Sequence, residues 1–422
     1  MYKLKTLANG LKFIAVPLAG ARTATALVMV RTGSKYENRR NNGISHFLEH
    51  MFFKGTAKRP SAQAISSELD RLGADYNAFT AKEFTGYYVK ASAAKLPQAL
   101  SVLSDIFLNS VFDAGEIERE KGVIVEELNM YEDNPMMHIE DVFEECLYGD
   151  QPAGWETIGT KENILNFRQK DFLDYYHSHY GAADTVVCLA GNFKKKDETE
   201  VKKVFSAMKK LAANKKAKTK EAQTAPAVLV KHKKTDQAHI SLGFRTVPLG
   251  HRDEFALKLL AILLGGSMSS RMFLEVREKR GLAYYVRTET EFYSDAGYLT
   301  TAAGVPLEKI DEAIAAILGE YARIMKEPAA AVELKKVKDM VAGKFDLQLE
   351  SSDANASWFA RKALERREVM TPAGYLAIIK KITAEDLNKA AKKYFSGRGL
   401  NLAVIGPYQD SKKFEKLLKI DN

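Results

Sequence analysis

Cysteine is scarce: Cys146 and Cys188 are the only two in 422 residues. That excludes a disulfide framework and a zinc-thiolate cluster, and it fits a reducing compartment. Proline is also sparse, at 11 residues, and with 46% hydrophobic and 10% aromatic residues the composition is neither that of a disordered chain nor that of a fibrous one. Long hydrophobic runs are missing. The charge-free stretch from Leu259 to Ser270 falls well short of the roughly 20 residues needed to span a bilayer. The opening residues, Met1 to Pro17, carry Lys3, Lys5 and Lys12 and the turn pair Asn9-Gly10, which reads as a strand pair and not as an apolar targeting segment. The expectation is a folded cytoplasmic protein that is not inserted in a membrane, with length enough for two or three domains.

Acidic charge is in deficit, 54 Asp plus Glu against 63 Lys plus Arg, a balance of +9. Spread over a surface, this excess would suggest a nucleic-acid or anionic-membrane partner. It is not spread. Between Lys194 and Lys220 eleven lysines face three acids (Asp197, Glu198, Glu200), so that segment alone carries +8. A nucleic-acid partner is therefore not expected.

The two halves of the chain resemble each other. Asp171 opens a helical stretch followed by the apolar strand Thr185 to Ala190 and Gly191, and Asp386 opens another followed by Leu400 to Ile405 and Gly406. Asp to Gly is 20 positions in each, at an offset of 215. Each half also opens with an extended region (Leu4 to Val30; Val228 to Arg245), then an apolar helix (Gly43 to Phe53; Glu254 to Leu264), then a pair of Tyr/Thr-rich strands (Asp75 to Lys90; Tyr284 to Thr301). Two α+β domains of similar fold are expected: residues 1–213 and 227–422, joined by the Lys-rich stretch 214–226, which has almost no large apolar residue and reads as a solvated linker.

The most informative segment is Gly43-Ile44-Ser45-His46-Phe47-Leu48-Glu49-His50-Met51-Phe52-Phe53. On a helix, His46 and His50 project from one face, and two imidazoles so placed can share a zinc ion at about 2.0 to 2.1 Å each. Glu49, three residues after His46, can hold a water bound to that ion. The remaining positions are nearly all apolar, so the helix is expected to be buried, and buried imidazoles and carboxylates require a partner or a metal. With eight His in the chain, the chance expectation for HxxEH is on the order of 0.01. A third ligand is sought in Asp113 to Tyr131, where Asp113 and Glu116 form a capping-box start. There the core-facing stripe Ile117, Glu120, Ile124, Glu127, Leu128, Tyr131 is interrupted by two carboxylates, whereas Glu118 and Glu126 suit a solvated face.

Gly43-x-x-His46-Phe47-Leu48-Glu49-His50-Met51-x-Phe53-Lys54-Gly55-Thr56 resembles the signature of the pitrilysin/insulinase family of inverted-motif zinc peptidases, in the subgroup of the mitochondrial processing peptidase and two-domain bacterial peptidases. The resemblance implies two mostly antiparallel sheets packed with helices. It implies one zinc ion per chain, held by His46, His50 and Glu127, which lies 77 positions after His50. Glu120 then corresponds to the family's second helix carboxylate, in support of the metal ligands. By the same resemblance Glu49 is the general base, Asn77-Ala78-Phe79-Thr80 is an edge strand to which an extended peptide adds, and Arg277 and Tyr284, beyond the Gly-rich loop Leu264 to Phe273, stabilise the oxyanion. The implied activity is a zinc endopeptidase acting on peptides or unfolded segments in a dimeric chamber. Metal and Arg/Tyr motifs coexist in this chain, which favours a homodimer over a heterodimer with a homologue. Cobalt or manganese would suit the same ligands. The alternative expectation is a non-catalytic family subunit acting in assembly, although such chains typically lose the metal set.

Overall fold

The computed structural model describes residues 2–365 and 368–420; Met1, Arg366, Arg367, Asp421 and Asn422 lie outside them. Eleven strands are present among the described residues: β1 (Lys3–Thr6), β2 (Lys12–Pro17), β3 (Thr23–Val30), β4 (Asp75–Thr80), β5 (Thr85–Ser92), β6 (Thr185–Gly191), β7 (Ala227–His232), β8 (Gln237–Arg245), β9 (Tyr285–Phe292), β10 (Gly297–Pro306) and β11 (Leu400–Gly406). They form two sheets, ordered β1-β2-β6-β3-β5-β4 and β7-β11-β8-β10-β9. After β1, the first order repeats in the second strand for strand. In each sheet one pair is parallel, β2 with β6 and β7 with β11, and the other pairs are antiparallel. The expected α+β class with two similar domains is what forms.

Local chemistry accounts for the elements. The Asn9-Gly10 turn closes the β1–β2 hairpin, with Gly10 at φ 95°. Central strands such as TATALVMV (β3), TVVCLAG (β6) and LNLAVIG (β11) are apolar nearly throughout and lack the alternation of a one-sided sheet, because helices cover both faces. Cys188 sits in the middle of β6, fully buried, and burial pushes its thiol well up.

The two compact units are not the two halves of the sequence. One comprises Met1–Leu128, Glu156–Ala217 and Phe345–Thr371; the other comprises Asn129–Trp155, Lys218–Lys344 and Pro372–Asn422. The division at 1–213 and 227–422 therefore needs correction in two segments, each built around one helix. The helix Ser352–Glu365, from the second half, packs across β2, β3 and β6 of the first unit. There Ala356, Phe359, Ala360 and Leu364 share a core with Ile14, Val16, Leu27, Met29 and Val186. Reciprocally, the helix Pro135–Tyr148, from the first half, packs on β7, β8 and β11 of the second unit, where Ile139, Val142 and Phe143 meet Ala403 and Ile405. Both helices have an apolar stripe and both sheets have an open apolar face; periodicity identifies the stripe but not which sheet it covers.

The Lys-rich connector also departs from expectation. It contains no helix or strand between Phe205 and Ala227, yet it is tied down at both ends. In the first unit the Asn214 side-chain amide donates to the carbonyls of Arg31 (2.9 Å) and His179 (2.7 Å). In the second, the Thr219 amide donates to Asp295 (2.9 Å) and the Gln223 side chain to the Leu400 carbonyl (3.0 Å). Short polar side chains satisfy backbone groups in this way without adding to apolar patterning. Among the described residues no helix is long and apolar enough to cross a membrane.

Candidate metal centre

The HxxEH residues occupy the helix Ile44–Met51 of the first unit, and Glu120 and Glu127 the helix Ala114–Asp133. The shorter helix is apolar except for Ser45 and its motif residues: Ile44, Ser45, Phe47, Leu48 and Met51 are buried. Its start demands a glycine. Gly43 has φ 100°, and a Cβ there would lie 2.6 Å from the Ile158 carbonyl oxygen. Since glycine cannot cap through a side chain, the orphan amides of the first turn find another acceptor. This is Glu37, buried, whose carboxylate accepts from the amides of Gly43 and Ser45 (both 2.8 Å) and from the Asn42 side chain (3.1 Å). Burial pushes the Glu37 carboxyl up, against these donors.

On the longer helix, the Asp113 side chain accepts from the Glu116 amide (3.0 Å), capping the start as expected. Glu118 and Glu126 are exposed, whereas Glu120 is buried and Glu127 half-buried. One ligand atom each from His46, His50 and Glu127 lies within 4.8 Å of the other two. The Glu127 oxygens stand 3.6 Å from His46 Nε2 and 3.4 Å from His50 Nε2. Two ligands at about 2.1 Å from a tetrahedral zinc ion would stand about 3.4 Å apart. Two imidazoles and one carboxylate are also the donor set of a catalytic zinc site that keeps a fourth position open. The residues present fit zinc.

The remaining contacts orient this set. His50 Nδ1 pairs with Glu120 Oε1 at 2.9 Å, which leaves Nε2 directed at the cluster, and Lys54 Nζ stands 2.5 Å from the other Glu120 oxygen. Burial opposes charge on His50, but Glu120 and Glu127 outweigh it and raise the imidazole to about 9. Burial likewise opposes ionisation of Glu120, and its bonds to His50 and Lys54 prevail, holding it below the usual carboxylate range. His46 and His50 hold Glu127 far below that range. The cluster therefore favours positive charge at its centre.

Glu49 Oε2 accepts from the Thr80 hydroxyl at 2.6 Å. Within the β4 segment, Ala78 is buried, Phe79 lies over Gly86, and Asn77 is exposed, its Oδ1 accepting from the Ala78 amide (2.9 Å). Strand β4 ends the first sheet and pairs only with β5 among the described strands, as an edge strand should. Arg277 and Tyr284 lie in the second unit. Arg277 belongs to a π-helical stretch, Phe273–Lys279, and its guanidinium stands 5.9 Å from the Tyr284 ring centre. Tyr284 is 74% exposed. At the end of the helix Glu254–Gly265, a Cβ on Gly265 would lie 2.3 Å from the Thr288 amide, so only glycine allows that approach.

Residues 13–161 match the family described as insulinase, peptidase family M16, and residues 166–341 match that described as the peptidase M16 inactive domain. An uncharacterized zinc protease of Bacillus subtilis, YmxG, is 34% identical over 407 residues, covering 96% of this chain and 98% of its own. An uncharacterized zinc protease of Streptomyces coelicolor, SCO5738, is 33% identical, covering 96% and 89%. The chain belongs to peptidase family M16. A crystal structure of a protease from Helicobacter pylori superposes with a TM-score of 0.90 at 26% identity, over 96% of this chain and 99% of that one. The fold is also that of an M16 inactive-domain structure from Pseudomonas fluorescens, with a TM-score of 0.88 at 20% identity, over 97% of this chain and 98% of that one. Membership in M16 agrees with the asymmetry between the halves: the helix Glu254–Gly265, which corresponds by position to the motif helix, contains no histidine.

Sequence reasoning missed Glu37 and gave no role to Lys54. Glu37 lies in the charged stretch Ser34 to Asn42, where nothing periodic distinguishes a buried acid from a solvated one. Lys54 follows the motif directly, and its partner is 66 positions away.

Proposed function

We propose that this chain is a zinc endopeptidase that cleaves peptides or unfolded segments. The observation that carries the reading is the convergence of His46, His50 and Glu127 within 4.8 Å, with Glu49 on the same helix. Held by those three residues, zinc would supply Lewis acidity and water activation near neutral pH. Glu49 takes the proton of the attacking water and passes it to the leaving amine. Glu120, steadied by Lys54, fixes the His50 ring. An extended substrate pairs with the free edge of β4, so main-chain hydrogen bonds supply affinity with little side-chain preference.

Arg277 and Tyr284 are suited to donate to the oxyanion, a guanidinium and a phenol being donors to developing negative charge. In this reading two copies form a closed homodimer, each supplying its Arg/Tyr pair to the other's metal set. The test is metal content and solution mass of the purified protein, followed by a peptide-library digest with and without chelator. One zinc per chain, a dimeric mass and chelator-sensitive cleavage are expected. Glu49→Gln should retain zinc and abolish turnover; unchanged hydrolysis would overturn the mechanism.

A further inference from the structure

We propose that Thr80 is a positioning residue for Glu49, so that the strand offered to substrate also aims the base. The inference rests on Glu49 acting as the base. Its evidence is the geometry around one hydroxyl. The Thr80 Oγ1 to Glu49 Oε2 distance of 2.6 Å lies in the range of a charge-assisted O–H···O⁻ bond. The bond occupies one carboxylate oxygen, which leaves Oε1 to receive a proton. A glutamate side chain has three rotatable bonds and substantial rotamer freedom, and a base serves only in a narrow arrangement with the group it deprotonates.

Thr80 itself is held firmly. It is paired with Thr85 at the end of the β4–β5 ladder, where the Ala81 amide donates to the Phe84 carbonyl at 2.8 Å and closes the turn. Thr85 is buried and donates to the Thr32 carbonyl at 3.0 Å. Side chains alternate along β4. Tyr76, Ala78 and Thr80 therefore share one face, and this face turns toward the motif helix: the Tyr76 ring centre is 6.3 Å from that of Phe53, and Thr80 reaches Glu49. Asn77 and Phe79 take the other face. The four residues are thus not equivalent, and the role of Thr80 lies in its side chain. A peptide paired along β4 and the base that acts on it then share one rigid frame.

Thr80→Val keeps the β-branched shape and removes the hydroxyl; Thr80→Ser keeps the hydroxyl. The Val variant should bind one zinc per chain and, in the Glu49→Gln background, bind an uncleaved peptide as tightly as Glu49→Gln alone. In the presence of Glu49 its kcat should fall about ten- to a hundredfold, with KM within about twofold of wild type. Thr80→Ser should recover most of the loss. A Val variant with wild-type kcat, a Ser variant as poor as Val, or a loss appearing in zinc content or KM instead of kcat overturns the proposal. If wild type and Glu49→Gln hydrolyse equally, it is the base assignment that fails, an outcome distinct from failure of the Thr80 bond.

Discussion

Replacing Glu37 by alanine is expected to destabilise the first unit far more than removal of most surface acids. Its carboxylate is the acceptor for the Gly43 and Ser45 amides and the Asn42 side chain, and all three donors are buried. A buried donor left unmade costs about 1–3 kcal/mol, so three give at least about 3 kcal/mol. At roughly 2–4 °C per kcal/mol for a unit of this size, this loss of about 3 kcal/mol lowers Tm by about 6–12 °C. Thermal unfolding by calorimetry, with the transitions of the two units followed separately, measures this. Glu37→Gln, which retains one acceptor oxygen, should fall between wild type and alanine. A shift of no more than about 1 °C for Glu37→Ala would show instead that those donors find other acceptors at no cost.

Glu120→Ala should weaken zinc binding by about 10- to 100-fold through loss of the His50 Nδ1 partner, measured by competition with a chelator of known affinity. Arg59, whose guanidinium joins Glu68 (2.7 Å) and Asp105 (2.7 Å) beyond the motif helix, should cost about 3–5 kcal/mol on replacement by Ala, because the Asp105 charge is left without its partner; denaturant unfolding tests this. Burial opposes ionisation of Asp105, but its bonds to Thr56, Asn109 and Arg59 hold its pKa below the ordinary value. It therefore adds stability that is fully present above the unfolded pKa of about 3.9 and is lost as pH falls through the lower folded value; Asp105→Asn should flatten the stability profile in that acid range. Phe359→Ala should cost about 3–5 kcal/mol, and hydrogen exchange should show the loss of protection in β3 and β6. A loss confined to β8 and β11 would contradict the exchanged-helix core.

Local patterning specified the elements and much of the candidate metal set. Paired runs and turn signals specify the β1–β2 hairpin, and repeated order along the chain announces two like domains. Histidines four apart on a helix share a face whatever surrounds them, and two carboxylates interrupting the apolar stripe of Ala114–Asp133 separate Glu120 and Glu127 from the exposed Glu118 and Glu126. These are consequences of local geometry, and local geometry is written in spacing. Partners were assigned by packing. The Ser352–Glu365 helix covers the sheet of the other half because any apolar stripe of suitable length satisfies any open apolar face, and the hydrophobic effect has no direction that a sequence pattern records. The same holds for the links of Glu37 to Gly43, Lys54 to Glu120 and Thr80 to Glu49. A hydrogen bond requires a donor and an acceptor within about 3 Å, and that proximity is created by packing, not by residue type.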